Sequence, residues 1–232
     1  MQALVRHPSR TAPPEHRWPA VGALLAALAL YAFLPSQLLG LQRFLVVGAG
    51  IALLVPLVIV NPHRLTRQTP LTRGLSVALA LMLVIANQIT LVRLIIELVV
   101  GHREGPELLV AALQVWVANV IGFALLYWEL DRGGPVVRTS WARTELPPAD
   151  FRFSQDEDEQ TIEEVAKGSA ARIDWTPRFV DYLYTSLSNS MAFSASDAMP
   201  LRQRAKLLMG VQAFGGFVIL ALVIARSVGI LD

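Results

Sequence analysis

Five long apolar runs constrain this chain more than any other feature of its sequence. They cover about residues 18–34, 41–60, 74–100, 107–128 and 207–230. A helix of roughly 20 apolar residues crosses a bilayer core of about 30 Å, and the runs are close to that length. Because lipid offers no hydrogen bonds to the backbone, helices are the expected conformation. The sequence therefore predicts an all-α, polytopic membrane helix bundle with five transmembrane helices.

Composition agrees with this class and excludes several kinds of site. Apolar residues make up 54% of the 232 residues and charged residues only 16%, and the mean hydropathy is +0.49. The chain has no Cys, which rules out disulfides and thiolate metal sites. Its basic residues flank the apolar runs and form no continuous stripe, so nucleic-acid binding is not expected.

The distribution of charge divides the chain into four regions. Residues 1–17 form a cytoplasmic tail, residues 18–128 a four-helix transmembrane region, and residues 129–176 an acidic soluble loop. Residues 177–232 form a hairpin and the last transmembrane helix. The loop carries eleven acidic residues against six basic ones and no apolar run of membrane length. We expect it to be largely solvated.

The arginines predict the orientation in the membrane, since basic residues concentrate in cytoplasmic segments. A cytoplasmic N-terminus leaves only two arginines in outer loops, Arg43 and Arg103. The inner segments then hold Arg6, Arg10, Arg17, Arg64, Arg67, Arg73, Arg132, Arg138 and Arg143. We expect a multi-pass protein of a bacterial inner (plasma) membrane, with the lipid bilayer as its main partner and the N-terminus in the cytoplasm.

The segment 177–196 is amphipathic and too short to be a typical crossing. Its apolar residues recur every four positions from Phe179 to Met191, whereas Thr185 and Ser188 lie on another face. The helical pattern covers seventeen residues, 177–193, which as a helix extend about 26 Å, a little less than the bilayer core. Three basic residues follow soon after this segment, namely Arg202, Arg204 and Lys206. A full crossing would place them outside. A re-entrant or interfacial helix is expected, with a sixth crossing as the alternative.

The C-terminal stretch YLYTSLSNSMAFSASDAMPLRQRAKLLMGVQAFGGFVILALVIARSVGIL, Tyr182 to Leu231, resembles the pore hairpin of two-transmembrane potassium-channel-like proteins. It also resembles an uncharacterised bacterial integral-membrane family carrying a domain-of-unknown-function label, in which a D-x-L-Y-x-S…M-x-F-x-x-S-D-like segment precedes the last helix. The channel resemblance implies that polar side chains of the hairpin line a constriction, namely Thr185, Ser188, Asn189, Ser190, Ser194, Ser196 and Asp197. It also implies an inner-helix hinge at Gly210, Gly215 or Gly216.

The stretch departs from a potassium filter at the position that binds the ion. A filter presents rings of backbone carbonyls, normally from a Thr-Val-Gly-Tyr-Gly run. The corresponding residues, Ser190 to Asp197, contain no Gly, so the backbone freedom that a filter requires is missing. Potassium selectivity is therefore not implied, and the pore loop is interpreted as degenerate.

Polar residues inside apolar runs are the remaining candidates for a site. They are Asn87, Arg93, Glu97, Asn119 and Gln212. Hydrogen bonding between helices explains such residues in most cases, and Arg93 and Glu97 can pair because they are four positions apart on a helix. Histidines at metal-ligand spacing and nucleotide or nucleophile motifs are absent from the sequence. We expect no metal, cofactor, catalytic residue or enzymatic activity.

These observations favour a channel-like protein that passes or senses small ions. It would act as a homo-oligomer, because one hairpin cannot enclose a pore. The alternative is a non-conducting structural or partner-binding membrane protein whose polar hairpin packs inside the bundle. A small-solute transporter ranks lower, since the two related halves with broken helices that typify such proteins are not found in the sequence.

Overall fold

The computed structural model describes residues 12–35, 40–100, 106–156, 163–169, 174–191 and 198–231. The described part contains eight α-helices and two short strands. In chain order they are α1 (Trp18–Ala32), α2 (Gln42–Val60), α3 (Pro70–Val100), α4 (Pro106–Leu130), α5 (Pro135–Ser140), β1 (Phe151–Phe153), α6 (Glu163–Ala166), α7 (Phe179–Ser190), β2 (Ala198–Pro200) and α8 (Gln203–Leu231).

Four of these helices, α2, α3, α4 and α8, are long and apolar enough to cross a membrane. The prediction of a helical membrane protein is confirmed to that extent. The first apolar run forms a helix of only 15 residues, α1, which extends about 22 Å. The predicted count of five transmembrane helices is therefore not confirmed.

The helices α1, α3, α7 and α8 begin, and α2 and α4 finish, at one end of the bundle, here called the basic end. At this end the Arg17 guanidinium donates to the Asn61 carbonyl at 3.2 Å, and the Arg73 guanidinium pairs with Glu129 at 2.5 Å. At the opposite end Arg43 donates to the Leu34 carbonyl at 2.7 Å. The two contacts of α1 thus join it to opposite ends of α2.

The chain leaves the basic end along α7 and is back at that end in β2. The Phe179 amide donates to Glu15 at this end, and eleven residues later Ser190 lies against Gly216, in the middle of α8. The chain then pairs through β2 with β1 in antiparallel register, Phe151 opposite Pro200. The helix predicted over 177–196 is observed only over Phe179–Ser190, and residues 192–197 lie outside the described part.

Three acidic residues of the segment 129–176 are buried, whereas the sequence predicts a largely solvated loop. Glu129, Asp131 and Asp150 are buried. Each lies beside an arginine, Arg73, Arg132 and Arg204 respectively. A buried carboxylate is tolerated where it is paired and hydrogen-bonded. The beginning of this segment is therefore part of the packed structure at the basic end.

Candidate functional site

The predicted pore-lining residues of α7 face the interior of a single chain. Thr185, Ser188 and Ser190 are buried, and Asn189 is half-buried. The Thr185 hydroxyl donates to the Asp181 carbonyl one turn earlier, at 2.8 Å. The other predicted pore-lining residues, Ser194, Ser196 and Asp197, lie outside the described residues.

Gln212 of α8 is the centre of the polar contacts between α7 and its neighbours. Its amide nitrogen donates to the hydroxyls of Ser186 at 2.6 Å and Ser190 at 2.7 Å. Its amide oxygen accepts from the Tyr127 hydroxyl at 2.7 Å and the Asn189 amide at 3.0 Å. The side chain is fully buried. The site candidates Asn189, Ser190 and Gln212 are thus brought together, and both ends of the Gln212 amide are satisfied.

Ser186 belongs to this cluster and is missing from the sequence-based candidates. Its hydroxyl donates to the Val120 carbonyl of α4 at 2.7 Å. The signal was present in the sequence, because Ser186 and Ser190 are four positions apart and therefore share one helical face.

The predicted hinge glycines lie within a continuous helix, α8. A Cβ at Gly216 would lie 2.9 Å from the Ser190 carbonyl oxygen, and one at Gly215 would lie 2.9 Å from the Leu91 side chain. Nothing lies within 4 Å of a Cβ at Gly210. Gly215 and Gly216 therefore permit close helix packing, and a hinge role stays a prediction.

A second polar layer links α1, α3 and α4. The Tyr31 hydroxyl donates to Asn87 at 3.2 Å, and Asn87 donates to the Asn119 amide oxygen at 3.0 Å. Gln88 donates to the same oxygen at 2.9 Å, while the buried Asn119 amide nitrogen has no partner among the described residues. This layer has the interhelical hydrogen bonding expected for Asn87 and Asn119.

The predicted pair of Arg93 and Glu97 lies near the opposite end of α3. Arg93 donates to the Gln42 side chain of α2 at 2.6 Å, and Glu97 is half-buried. Arg93 therefore joins two long helices, and its pairing with Glu97 stays a prediction.

Asp131 organises the basic end although its side chain is completely buried. Its carboxylate accepts from the amides of Asp150 at 2.7 Å and Phe151 at 3.3 Å, and from the Tyr182 hydroxyl at 2.5 Å. Burial raises the pKa of Tyr182 well above its ordinary value, so the phenol stays protonated and donates. One carboxylate thus connects the end of α4, the start of β1 and α7.

Glu15 has a similar position between the N-terminal segment and α7. Its carboxylate accepts from the Phe179 amide at 2.6 Å and from the Trp128 indole at 3.0 Å. Arg138, fully buried, pairs with it at 3.3 Å and lies 4.9 Å from the centre of the Tyr182 ring. An anion at a helix N-terminus is stabilised by the free amides there. Nothing in the local sequence around Glu15 indicates this contact.

A cleft opens beside these contacts, between α1, α2, α3 and α4 at the basic end. It encloses about 690 Å³ of space between atoms, counting its open mouth. Leucines line its inner part, and Arg17, Arg67, Arg73 and Glu129 lie among its polar lining residues. Burial lowers the pKa of Arg17, an effect that the charge of Glu129 opposes, but an arginine remains protonated near neutral pH.

Comparison with known proteins identifies no relative: no family model, no curated protein and no solved structure matches this chain. In the described residues, no group of three or more His, Asp or Glu side chains is placed to hold a metal ion. The arrangement of the described polar groups is therefore the basis for a functional proposal.

Proposed function

We propose that this chain is a non-conducting, partner-binding membrane protein in which the α7 hairpin is an internal packing element. The observation that carries the proposal is the hydrogen bonding of Gln212. Its donors and acceptors are used by Ser186, Ser190, Asn189 and Tyr127 of the same chain. A pore-lining group has to present its polar atoms to passing ions, and these atoms are engaged elsewhere.

The same proposal assigns five crossings and one re-entrant helix. It is supported by α1, whose ends contact opposite ends of α2, and by α7, whose two flanks contact the basic end. The positive-inside tendency then places the basic end in the cytoplasm.

An ion-flux measurement tests the proposal. Purified protein is reconstituted into liposomes, and potassium, sodium and proton fluxes are compared with those of empty liposomes, while mass measurement in detergent gives the oligomeric state. We expect no flux above the empty-liposome level. Flux that is altered by Asp197→Asn would overturn the proposal in favour of the channel-like prediction, which requires an oligomer.

A further inference from the structure

We propose that the cleft at the basic end binds one anionic phospholipid of the adjoining leaflet, with the phosphate at the arginines and an acyl chain against the leucines. Lipid binding here does not depend on whether the α7 hairpin conducts, since the cleft is lined by residues of other segments.

The charges of the cleft favour an anion. Three arginines line it, Arg17, Arg67 and Arg73, against one carboxylate, Glu129. Arg73 is paired with Glu129 at 2.5 Å. The positive charges of Arg17 and Arg67 therefore remain without a carboxylate in direct contact among the described residues. Guanidinium groups bind phosphate through charge-assisted hydrogen bonds.

Arg17 supplies the strongest local indication of a ligand. Its side chain is only 7% exposed, and one of its terminal nitrogens donates to the carbonyls of Leu57 and Asn61. Its Nε atom is buried and has no hydrogen-bond partner among the described residues. A buried donor without a partner is costly, and a phosphate oxygen in the cleft provides an acceptor for this guanidinium.

The apolar part of the cleft favours a lipid over free phosphate. Leu24 of α1, Leu54 and Leu57 of α2, and Leu79 of α3 line it. The leucines of α2 and α3 lie further inward than the arginines, on helices of membrane length. Basic pockets between transmembrane helices at the cytoplasmic side are typical binding places for anionic head groups. An amphiphile matches both halves of the cleft, and a free phosphate matches only one.

Arg67→Gln is the test variant, because Arg67 is exposed and makes no side-chain hydrogen bond or ion pair with the described residues. Arg64→Gln is the charge control. It removes the same charge three residues away in the same loop, and Arg64 does not line the cleft. It also removes the hydrogen bond that the Arg64 guanidinium donates to the Pro14 carbonyl at 3.2 Å, so thermal unfolding without lipid is compared for both variants. Native mass spectrometry of the detergent-solubilised protein measures retention of phosphatidylglycerol and phosphatidylcholine, and thermal unfolding with each lipid provides a second measurement.

We expect selective retention of phosphatidylglycerol, and an affinity about tenfold lower for Arg67→Gln, as for the loss of one charge-assisted contact of about 1.4 kcal/mol. Arg64→Gln should retain the lipid like the original protein. Equal loss in both variants, or equal retention of both lipids, would overturn the proposal. Glycerol phosphate and inorganic phosphate are the soluble probes. Stabilisation by either of them equal to that by phosphatidylglycerol would replace the lipid with a free phosphate ligand.

Discussion

At the scale of single residues, the buried carboxylates of the basic end are the most consequential feature. Asp131 receives hydrogen bonds from two backbone amides and one phenol, and Glu15 receives one from an amide 164 positions away. Each carboxylate connects segments that are distant in sequence. Both carboxylates are buried, and their hydrogen bonds with Phe179 and Tyr182 fix the position of the first turn of α7.

Asp131→Asn should destabilise the protein by about 3 kcal/mol, because the amide nitrogen of Asn is a donor placed among donors and the charge facing Arg132 is lost. Chemical denaturation in detergent micelles measures the free energy of unfolding. Glu164→Gln, an exposed acid on α6, is the control and should change it little. A stability equal to that of the original protein would mean that Asp131 is not a structural centre.

Arg132, which follows Asp131, has a strained backbone conformation that its side-chain contacts hold in place. Its φ is +50°, in the left-handed region that non-glycine residues avoid. Its guanidinium contacts Asp156 at 2.6 Å and the Phe151 carbonyl at 3.3 Å. Gly133 and Gly134 follow with φ of +79° and +93°. The chain therefore turns sharply after α4 and brings the acidic segment back onto the bundle.

At the scale of elements, the packing of α7 against α8 depends on glycine. The Cβ that Gly216→Ala introduces would lie 2.9 Å from the Ser190 carbonyl, so one backbone must move. Overpacking of this kind costs about 1–3 kcal/mol. Gly210→Ala is the matched control on the same helix, because its Cβ meets nothing within 4 Å.

We expect Gly216→Ala to lower the midpoint of thermal unfolding, and Gly210→Ala to leave it unchanged or raise it, since alanine favours a helix by about 1 kcal/mol over glycine. The two variants add the same methyl group to α8. If both shifted the midpoint in the same direction and by the same amount, the close approach of α7 and α8 would not be a determinant of stability.

At the scale of the whole molecule, the helices run between two ends, and most of the described arginine contacts lie at one of them. Arg17, Arg73, Arg138 and Arg204 make their contacts at the basic end, whereas Arg43 contacts Leu34 at the opposite end. The chain has no Cys, so single cysteine substitutions report accessibility without background.

Cysteines at Ser140 and Met199 should be labelled from the same side of the membrane, and one at Leu41 from the opposite side. All three residues are exposed. Ser140 and Met199 belong to elements at the basic end, and Leu41 precedes α2 at the other end. A membrane-impermeant maleimide applied to sealed, oriented vesicles makes the measurement. Labelling of Met199 from the side opposite Ser140 would show that α7 crosses completely.

The sequence alone determined the membrane class, the positions of the long apolar helices and the asymmetry of the arginines. These are local properties, because hydropathy over about 20 residues and the charge beside each run can be read without knowing any partner. The amphipathic period of the segment from Phe179 also predicted a short helix with one polar face.

Only the tertiary structure decided what that polar face contacts and which acids are buried. Gln212 donates a hydrogen bond to Ser186, 26 positions away in the sequence, and Glu15 accepts one from Phe179, 164 positions away. The periodicity of one segment does not encode such pairs. A serine that faces a pore and a serine that bonds a neighbouring helix have the same local pattern. The distinction lies in whether a partner is present at hydrogen-bond distance, which is a property of the packed bundle.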